Sequence, residues 1–360
     1  MDRVTKGYQF YVMVDEIDPR VAIIIRTKDR PDFLRRALAS VANQVFQNWE
    51  AVIVNDGGDP QEVDTVIAEL DSELRPRFRH IVHESPLGRW PSANAGVTAT
   101  SAPLVVLHDD DDSWHPEFLE ETVAYLSRNP DEYGVATRIE VLLEEERDGV
   151  LVTYDRYVLE SHNEEIFLTD LLRFNRFVPI GFLYRRSLHK RIGMYDESLP
   201  AAGDWAFNLA AVSLQPIRYV SDRPLAYWHQ RPHVRGVLGN SVHAATADHS
   251  FADRAFRDME LREYIQKYGL GLPLFVSSAT ATAEKTIGDL TAQLEQLRGQ
   301  FDQLSSQYER LAAQNDALLG RQDQVIGQND LILHNLSRTM DTRIRGWVVR
   351  QKLRLKRLKG

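Results

Sequence analysis

The sequence predicts an α/β protein with a mostly parallel sheet and helices on both of its faces, followed by a long coiled coil. Over residues 21–110, short apolar segments alternate with amphipathic helical segments, which is the order found in βαβ units. From residue 287 onward, apolar side chains recur with a seven-residue period, which is typical of coiled coils. The length of 360 residues fits two domains, or one large domain with an appendage.

Four short apolar runs predict the strands of the sheet. Continuous runs of this kind are typical of strands that are buried on both faces, as in parallel sheets. We expect these strands at 21–25, 51–54, 80–82 and 104–107, and helices from Pro31, over 61–71 and from about Pro91. Ligands of parallel sheets bind beyond the carboxyl ends of the strands, where Asp56 and Asp109–Asp112 lie in this sequence.

The rest of the predicted domain is less regular. Residues 134–160 are typical of a β-hairpin with Asp148 and Gly149 in its turn. A polar helix is expected over 244–268, and the glycines and the proline of residues 269–273 end it. An extra strand is expected around residues 8–14.

The composition excludes several classes of protein. The chain has no cysteine, which excludes disulfide scaffolds, thiolate zinc sites and cysteine nucleophiles. It has no run of about 18 apolar residues, and its N-terminus lacks the long apolar core of a secretory signal. Residues 1–342 carry 35 basic and 52 acidic side chains, and such an acidic body does not favour nucleic-acid binding.

The seven-residue repeat predicts an oligomerising coiled coil over residues 287–340. Apolar residues fill most of the a and d positions, with leucine at five of the seven d positions. A single helix packed on the body would need a period of 3.6, which drifts from such a repeat by about 20° per heptad. Asn315 and Asn329 at a positions favour a parallel arrangement, while the number of chains stays open between dimer and tetramer.

The consecutive aspartates Asp109–Asp112 offer the oxygen ligands that hard divalent cations require. Adjacent like charges repel, so the cluster needs a cation or full hydration. A solvated acidic loop or a calcium site are the alternatives, although an EF-hand would need glycine where Trp114 stands. Because the cluster directly follows a buried strand, we expect it to bind a metal together with substrate phosphates.

Asp56 lies in an Asn-Asp-Gly-Gly turn after the second predicted strand. Its carboxylate is suited to accept a hydrogen bond from a ring N–H of a nucleobase. The alternative is a turn aspartate that bonds its own backbone.

Four motifs in this order resemble those of the family 2 glycosyltransferases, which have the GT-A fold. The motifs are Val21–Asp29, Asn55–Gly58, Gly88 with Asn94–Gly96, and Asp109–Trp114. The resemblance implies an inverting transfer of a sugar from a nucleotide-diphosphate sugar, assisted by Mg²⁺ or Mn²⁺. It implies a donor site formed by Thr27, Arg30, Asp56, Asn94, Asp109 and Asp110, with Asp109 and Asp111 also at the metal.

Family members place an acidic base further along the chain, in a Glu-Asp-Trp-like motif, and the resemblance assigns this role to Asp204. A helix N-cap is the alternative role for this aspartate. Two departures are visible. Gly203 stands where family members usually have the glutamate of this motif. Family members also often carry an arginine directly before the asparagine, which this chain lacks at Asn94, and Arg89 is the candidate to replace it at the donor phosphates. His229 is a candidate further metal ligand, or part of a polar surface turn.

The last segment, residues 341–360, is predicted to lie on an anionic membrane surface. Ile344, Trp347 and Val348 fall on one helical face, and eight basic but no acidic residues occur from Arg343 to Gly360. Nucleic-acid binding and a solvated tail are the alternatives, and the apolar stripe argues against both.

These interpretations predict a GT-A glycosyltransferase domain at 1–270, a linker at 271–286, a coiled coil at 287–340 and a membrane-surface helix at 341–360. We expect a metal-dependent inverting glycosyltransferase of bacterial surface polysaccharide synthesis, cytoplasmic and peripheral on the inner face of the cytoplasmic membrane. Its partners would be the nucleotide-sugar donor, a glycan or lipid-linked acceptor, the membrane and further copies of the chain. A nucleotidyltransferase, or an inactive GT-A-like scaffold that serves as a tether, are the alternatives.

Overall fold

The computed structural model describes residues 20–159, 164–199, 201–232, 234 and 246–357. The strand expected around residues 8–14 lies outside this part of the chain. Contacts within the chain divide it into two compact units, one that ends at Glu263 and one that begins at Tyr264. Each unit is described by itself below.

Within the described residues, the first unit contains ten strands, and its last helix extends to Tyr268. The strands are β1 (Val21–Thr27), β2 (Trp49–Asp56), β3 (Phe78–His83), β4 (Leu104–Asp109), β5 (Ser113–Trp114), β6 (Gly134–Arg147), β7 (Val150–Leu159), β8 (Glu165–Ile166), β9 (Phe182–Arg185) and β10 (Ile217–Gln230). The helices are α1 (Pro31–Ala42), α2 (Pro60–Ala68), α3 (Arg89–Thr98), α4 (Phe118–Arg128), α5 (Leu168–Leu171), α6 (His189–Ile192), α7 (Gly203–Leu214) and α8 (Thr246–Tyr268). Short 3₁₀ turns lie at Arg75–Arg77, Pro179–Gly181 and Arg186–Leu188.

The strands form one sheet in the order β3-β2-β1-β4-β9-β6-β10-β5. The first four strands of this order are parallel, as are β6 and β10, whereas β9 runs antiparallel to both of its neighbours. Outside this order, β7 pairs with β6 and β8 pairs with β10. The predicted α/β fold class, with its mostly parallel sheet, is confirmed.

Burial explains why the apolar runs form the central strands. Every residue of β1 is buried, and β2 and β4 are buried except near their ends. A Cβ on Gly96 would lie 2.3 Å from the Cγ2 of Ile24, so only glycine allows α3 to approach β1 so closely. The carboxyl ends of β1, β2 and β4 therefore lie side by side at one edge of a rigid layer.

The predicted hairpin is formed by β6 and β7, with Asp148 and Gly149 between them. Both turn residues have positive φ angles, 52° and 80°, as a two-residue type I′ turn requires. The hairpin matters for function because β6 also carries Glu144, a buried residue of the site described below.

The second unit is dominated by α9 (Gly271–Arg357), a continuous helix of 87 residues. The segment 271–286, predicted as a linker, is the first part of this helix. Side chains at predicted d positions are exposed in the single chain, with Leu297, Leu304 and Leu311 between 61% and 64% accessible. The coiled coil itself stays a prediction. Among the described residues, no helix combines the length and the apolar character needed to cross a bilayer.

Candidate active site

A cavity of about 530 Å³ is lined by residues from the carboxyl ends of β1, β2 and β4. These strand ends contribute Thr27, Asp56 and Asp109, and the following loops add Arg30 and Asp111. Arg89 at the start of α3 and Asp204 in the first turn of α7 line the same cavity. Eight of the ten residues predicted for the site occupy the cavity wall or directly support it.

The four consecutive aspartates divide into two pairs with different surroundings. Asp109 and Asp111 line the cavity, with side-chain exposures of 34% and 12%. Asp110 and Asp112 are 0% and 1% exposed and do not line it. The division arises in a turn, because β4 ends at Asp109 and the N–H of Asp112 donates to the carbonyl of Asp109 at 3.2 Å. In this turn, the Asp-x-Asp spacing puts two carboxylates into one cavity.

Asp110 supports the cavity wall instead of contacting a donor, which corrects the prediction for this residue. It accepts hydrogen bonds from Thr27 Oγ1 at 2.8 Å and from Arg30 Nε at 3.1 Å. Burial and the neighbouring carboxylates disfavour the charged form of Asp110, and the charge of Arg30 offsets them only in part. The pKa of Asp110 is therefore raised to about 7. Thr27 and Arg30, both predicted at the donor, are thus held in the cavity wall by a buried carboxyl group.

The two cavity carboxylates are balanced by arginines. Asp109 pairs with Arg26, and Asp111 pairs with Arg231 and, at 3.4 Å, with Arg30. Burial opposes ionisation of Asp109, but the charges of Arg26 and Arg89 outweigh it and lower the pKa of this carboxyl group. Asp109 therefore stays an anion at neutral pH.

Below Asp111 lies a buried charged cluster that contains His229. Arg231 is fully buried and also donates to Glu144 Oε2 at 3.1 Å. His229 Nδ1 lies 2.6 Å from Glu144 Oε1, and its Nε2 lies 2.8 Å from Ser113 Oγ. Because both ring nitrogens have partners and the ring does not line the cavity, this geometry does not make His229 a metal ligand.

Electrostatics explain how this cluster tolerates burial. Burial raises the pKa of Glu144, but hydrogen bonds from His229 and Arg231 and the charge of Arg36 outweigh burial and lower this pKa to about 2. Burial lowers the pKa of His229, so its ring is neutral at neutral pH. The sequence did not indicate Glu144, because this residue lies on a hairpin with no neighbouring motif. The sequence also did not indicate that Arg231 pairs with Asp111.

Asp56 lines the cavity and holds the loop that precedes α3. It accepts hydrogen bonds from the backbone N–H groups of Leu87 at 2.8 Å and Gly88 at 2.9 Å. Burial opposes ionisation, but hydrogen bonds from His83 and these two amides lower the pKa of Asp56. The alternative of a turn aspartate that bonds its own backbone does not describe Asp56, because the bonded amides belong to another loop. The carboxylate stays ionised beside the cavity, as a contact with a base N–H requires.

Asn94 has a structural role, which corrects its predicted place at the donor. Its side-chain amide donates to the carbonyl of Tyr195 at 2.9 Å and to Glu197 Oε1 at 2.8 Å, and it accepts from the N–H of Tyr195. It does not line the cavity. Arg89, the predicted substitute cation, does line it, and its charge acts on both Asp109 and Asp204.

Asp204 lines the same cavity and lies within the first turn of α7. The N-cap of α7 is Ala202, so the alternative N-cap role of Asp204 does not hold. Asn175 Nδ2 donates to Asp204 Oδ2 at 3.0 Å. Burial raises the pKa of Asp204, in part opposed by the N–H of Trp205 and by the charges of Arg89 and Arg26. A carboxylate with a raised pKa is a better proton acceptor than an ordinary aspartate.

The structure gives a physical reason for glycine at position 203. A Cβ on Gly203 would lie 2.6 Å from Nε1 of Trp90, so the indole fills the space that a side chain would need. Trp90 is 2% exposed, stacks on Tyr195 at 5.4 Å and carries the Arg26 guanidinium 5.1 Å above its ring. Gly203 and Trp90 therefore pack against each other in the cavity wall.

The residues present fit a divalent cation that is bound together with a diphosphate. Within the described ranges, no cluster of three or more His, Asp or Glu residues has a metal-binding arrangement. Mg²⁺ commonly uses only one or two protein carboxylates and completes its shell with water and substrate phosphates. Asp109 and Asp111, both open to the cavity, provide such a pair.

Comparison with known proteins identifies relatives of this chain. A family model described as glycosyl transferase family 2 matches residues 22–193. An uncharacterized glycosyltransferase of Bacillus subtilis, YwdF, is 28% identical over 208 residues, which are 58% of this chain and 74% of that protein. An uncharacterized glycosyltransferase of Haemophilus influenzae is 27% identical over 130 residues, which are 36% of this chain and 39% of that protein. The crystal structure of S. aureus TarS residues 1–349 with UDP-GlcNAc shares 20% identity at a TM-score of 0.47, over 66% of this chain and 65% of that one.

We predict that Gly203→Ala destabilises the cavity wall, because the new methyl group must displace the Trp90 indole. Overpacking of this kind costs about 1–3 kcal/mol. Denaturant unfolding followed by tryptophan fluorescence measures the loss. The double variant Gly203→Ala/Trp90→Phe, which removes the clashing part of the ring, should cost less than the sum of its two single changes. Strict additivity of the two effects would contradict the packing argument.

Proposed function

Because this chain belongs to the family 2 glycosyltransferases through residues 22–193, we propose that it transfers a sugar, with inversion, from a nucleotide-diphosphate sugar to an acceptor hydroxyl. The observation that carries the proposal is one cavity lined by two carboxylates at the end of β4 and by a third, Asp204, with a raised pKa. A glycan or lipid-linked acceptor of bacterial surface polysaccharide synthesis is the proposed setting.

The donor half of the cavity matches the charge pattern of a nucleotide diphosphate. Arg26, Lys28, Arg30 and Arg89 line it together with the carboxylates described above. Arginines bind phosphate oxygens through paired N–H groups, whereas ionised Asp56 is suited to a base N–H. We place the diphosphate beside the arginines and the nucleobase beside Asp56.

We propose the following reaction in this cavity. An acceptor hydroxyl beside Asp204 transfers its proton to that carboxylate while its oxygen attacks the anomeric carbon. The bond from that carbon to the diphosphate oxygen breaks, and the electron pair leaves with the diphosphate. Attack from the Asp204 side, opposite to the leaving group, inverts the configuration of the anomeric carbon.

The proposed cation, Mg²⁺ or Mn²⁺, would be held by Asp109 and Asp111. When bound, it would stabilise the negative charge of the departing diphosphate. Arg26 and Arg231 orient the two carboxylates, and the Glu144 cluster holds Arg231 in place.

Two other functions remain as alternatives, nucleotidyl transfer and a catalytically inactive scaffold that acts as a tether. Incubation of the full chain with a panel of nucleotide sugars separates them. Glycosyl transfer, or slow donor hydrolysis without acceptor, releases a nucleoside diphosphate. Nucleotidyl transfer would instead release pyrophosphate from a nucleoside triphosphate. No turnover of any donor, despite donor binding, would support the tether.

The helical second unit is proposed to serve assembly and attachment. Its exposed heptad leucines fit a parallel coiled coil between copies of the chain. The basic residues from Arg343 onward, with Trp347 59% exposed, fit the surface of an anionic membrane. We therefore propose a peripheral location on the inner face of the cytoplasmic membrane.

We predict that Asp111→Asn abolishes metal-dependent transfer, because a neutral amide is a poor ligand for a hard cation. Asp222→Asn is the matched control, since Asp222 is fully exposed and lies outside the cavity. Initial rates across a Mg²⁺ or Mn²⁺ titration measure the effect. Undiminished wild-type activity in EDTA would contradict the assignment of Asp109 and Asp111 to a metal.

We predict that Asp204→Asn lowers kcat by about 100-fold or more while donor binding persists, because general base catalysis contributes that range. Since the pKa of Asp204 is raised, wild-type kcat/KM should fall with decreasing pH above the ordinary range of aspartate. Asn175→Ala removes a hydrogen bond to the charged form, so it should move this acid limb to still higher pH. An acid limb that Asn175→Ala leaves in place would count against Asp204 as the base.

We predict that the full chain is a dimer to tetramer, and that replacing Leu297, Leu304 and Leu311 by aspartate yields monomers. Charged residues at d positions cannot be buried between helices without a large desolvation cost. Light scattering at micromolar concentration measures the mass. Aspartate at Gln296, Gln303 and Ser306, which are exposed and lie outside the a and d positions, serves as the control. A monomeric wild-type chain would show that the heptad repeat has another purpose.

A further inference from the structure

Four large apolar side chains are exposed within one short segment of the first unit. We call residues 167–176 the cavity lip. Its exposed side chains are Phe167 (49%), Leu168 (37%), Leu172 (54%) and Phe174 (48%). A concentration of exposed apolar side chains in a few residues indicates a contact surface, whereas single exposed apolar residues need no explanation.

The cavity lip has a defined conformation. Side chains of Trp205, Arg257 and Arg176 donate hydrogen bonds to its backbone at 2.7–3.2 Å. The acceptors are the carbonyl groups of Asp170, Leu171, Leu172 and Arg173. The carboxylate of Asp170 accepts from the N–H of Phe167 at 3.0 Å, which closes the first turn of α5. These bonds hold the backbone inward and leave the apolar side chains outside.

The cavity lip is continuous with the wall that carries Asp204. Arg173, Phe174 and Asn175 line the cavity, and Asn175 donates directly to Asp204. In the proposed reaction, the acceptor hydroxyl lies beside Asp204. The rest of the acceptor can therefore contact the adjoining lip.

The charges along this path are mainly positive. Arg173 is exposed at the cavity mouth, and Arg176 stacks on the ring of Phe174 at 3.7 Å. Arg257 is paired with Asp253, and the carboxylate of Asp170 is used within the lip. Phosphate is the anionic group that arginine binds best.

We propose that the cavity lip binds a membrane-borne acceptor in which a phosphate joins the accepting sugar to a hydrocarbon chain. The phosphate lies against Arg173, and the hydrocarbon contacts Leu168, Leu172 and Phe167. A free polysaccharide fits less well, since Leu168 and Leu172 offer its hydroxyl groups no polar partner. This inference names the acceptor class of the function proposed above and rests on it.

The test measures binding of the full chain to phosphatidylcholine vesicles that contain a long-chain prenyl phosphate or the matching prenol. The neutral background limits the electrostatic contribution of the C-terminal basic segment, and every variant keeps that segment. Leu172→Glu and Phe167→Glu change the lip. Val150→Glu is the matched control, because Val150 is 63% exposed at the hairpin turn and does not line the cavity.

We expect the two lip variants to bind prenyl phosphate vesicles about tenfold more weakly or worse, given the contribution of one buried apolar side chain. The control should stay within about twofold of wild type, a difference below the contribution of one such contact. Arg173→Gln should weaken binding about fivefold in the prenyl phosphate arm and not in the prenol arm. Inorganic phosphate should not compete, which distinguishes a lipid phosphate from a free one.

Equal binding by the lip variants, the control and wild type would overturn the proposal, and so would loss of donor hydrolysis in Leu172→Glu. The second result would mean that the lip shapes the catalytic cavity. Thermal unfolding monitors the fold of each variant. Vesicle binding does not require turnover, so the two proposals can fail separately. If the lip variants bind vesicles more weakly but the chain hydrolyses no donor, the transferase function is rejected and the lipid contact stays supported.

Discussion

Four adjacent carboxyl groups at the end of a buried strand repel one another, and much of the cavity is arranged to balance them. Asp109 pairs with Arg26, Asp110 with Arg30, and Asp111 with Arg231. Buried carboxylates are tolerated only when cations and hydrogen bonds compensate the lost hydration. This requirement brings arginines from β1, from the loop after it and from the chain beyond β10 to one place. The cations that the proposed donor diphosphate would contact are therefore already positioned.

The turn after β4 decides which of these carboxylates is available to a ligand. Asp109 and Asp111 face the cavity, whereas Asp110 and Asp112 are enclosed by the protein. The enclosed pair has raised pKa values because burial disfavours the charged form. One turn thus provides two carboxylates for the proposed ligand and two that are packed inside the protein. Arg30 links them, since it contacts both Asp110 and Asp111.

The cavity is lined by groups of two kinds. Cations and carboxylates from the ends of the parallel strands suit the polar nucleotide that we propose as the donor. Phe174 and Trp205 line the same cavity, and Phe174 belongs to the lip. Asp204, which accepts a hydrogen bond from Asn175, is the carboxylate beside which we place the acceptor hydroxyl.

The sequence by itself determined the α/β fold, the central strands and the place of Asp56, Asp109 and Asp111, because burial and strand-end polarity are local patterns, whereas Asp204 was assigned through the family resemblance. Only the tertiary structure decided where Asp110, Asn94 and His229 lie and what they contact. Each of these side chains is bound by residues distant in sequence, such as Arg30, Tyr195 and Glu144. The Trp90 indole fills the space that a side chain at position 203 would need, and this arrangement likewise results from packing between α3 and α7. Such contacts depend on which segments meet at the edge of the sheet, and local sequence patterns do not specify these meetings.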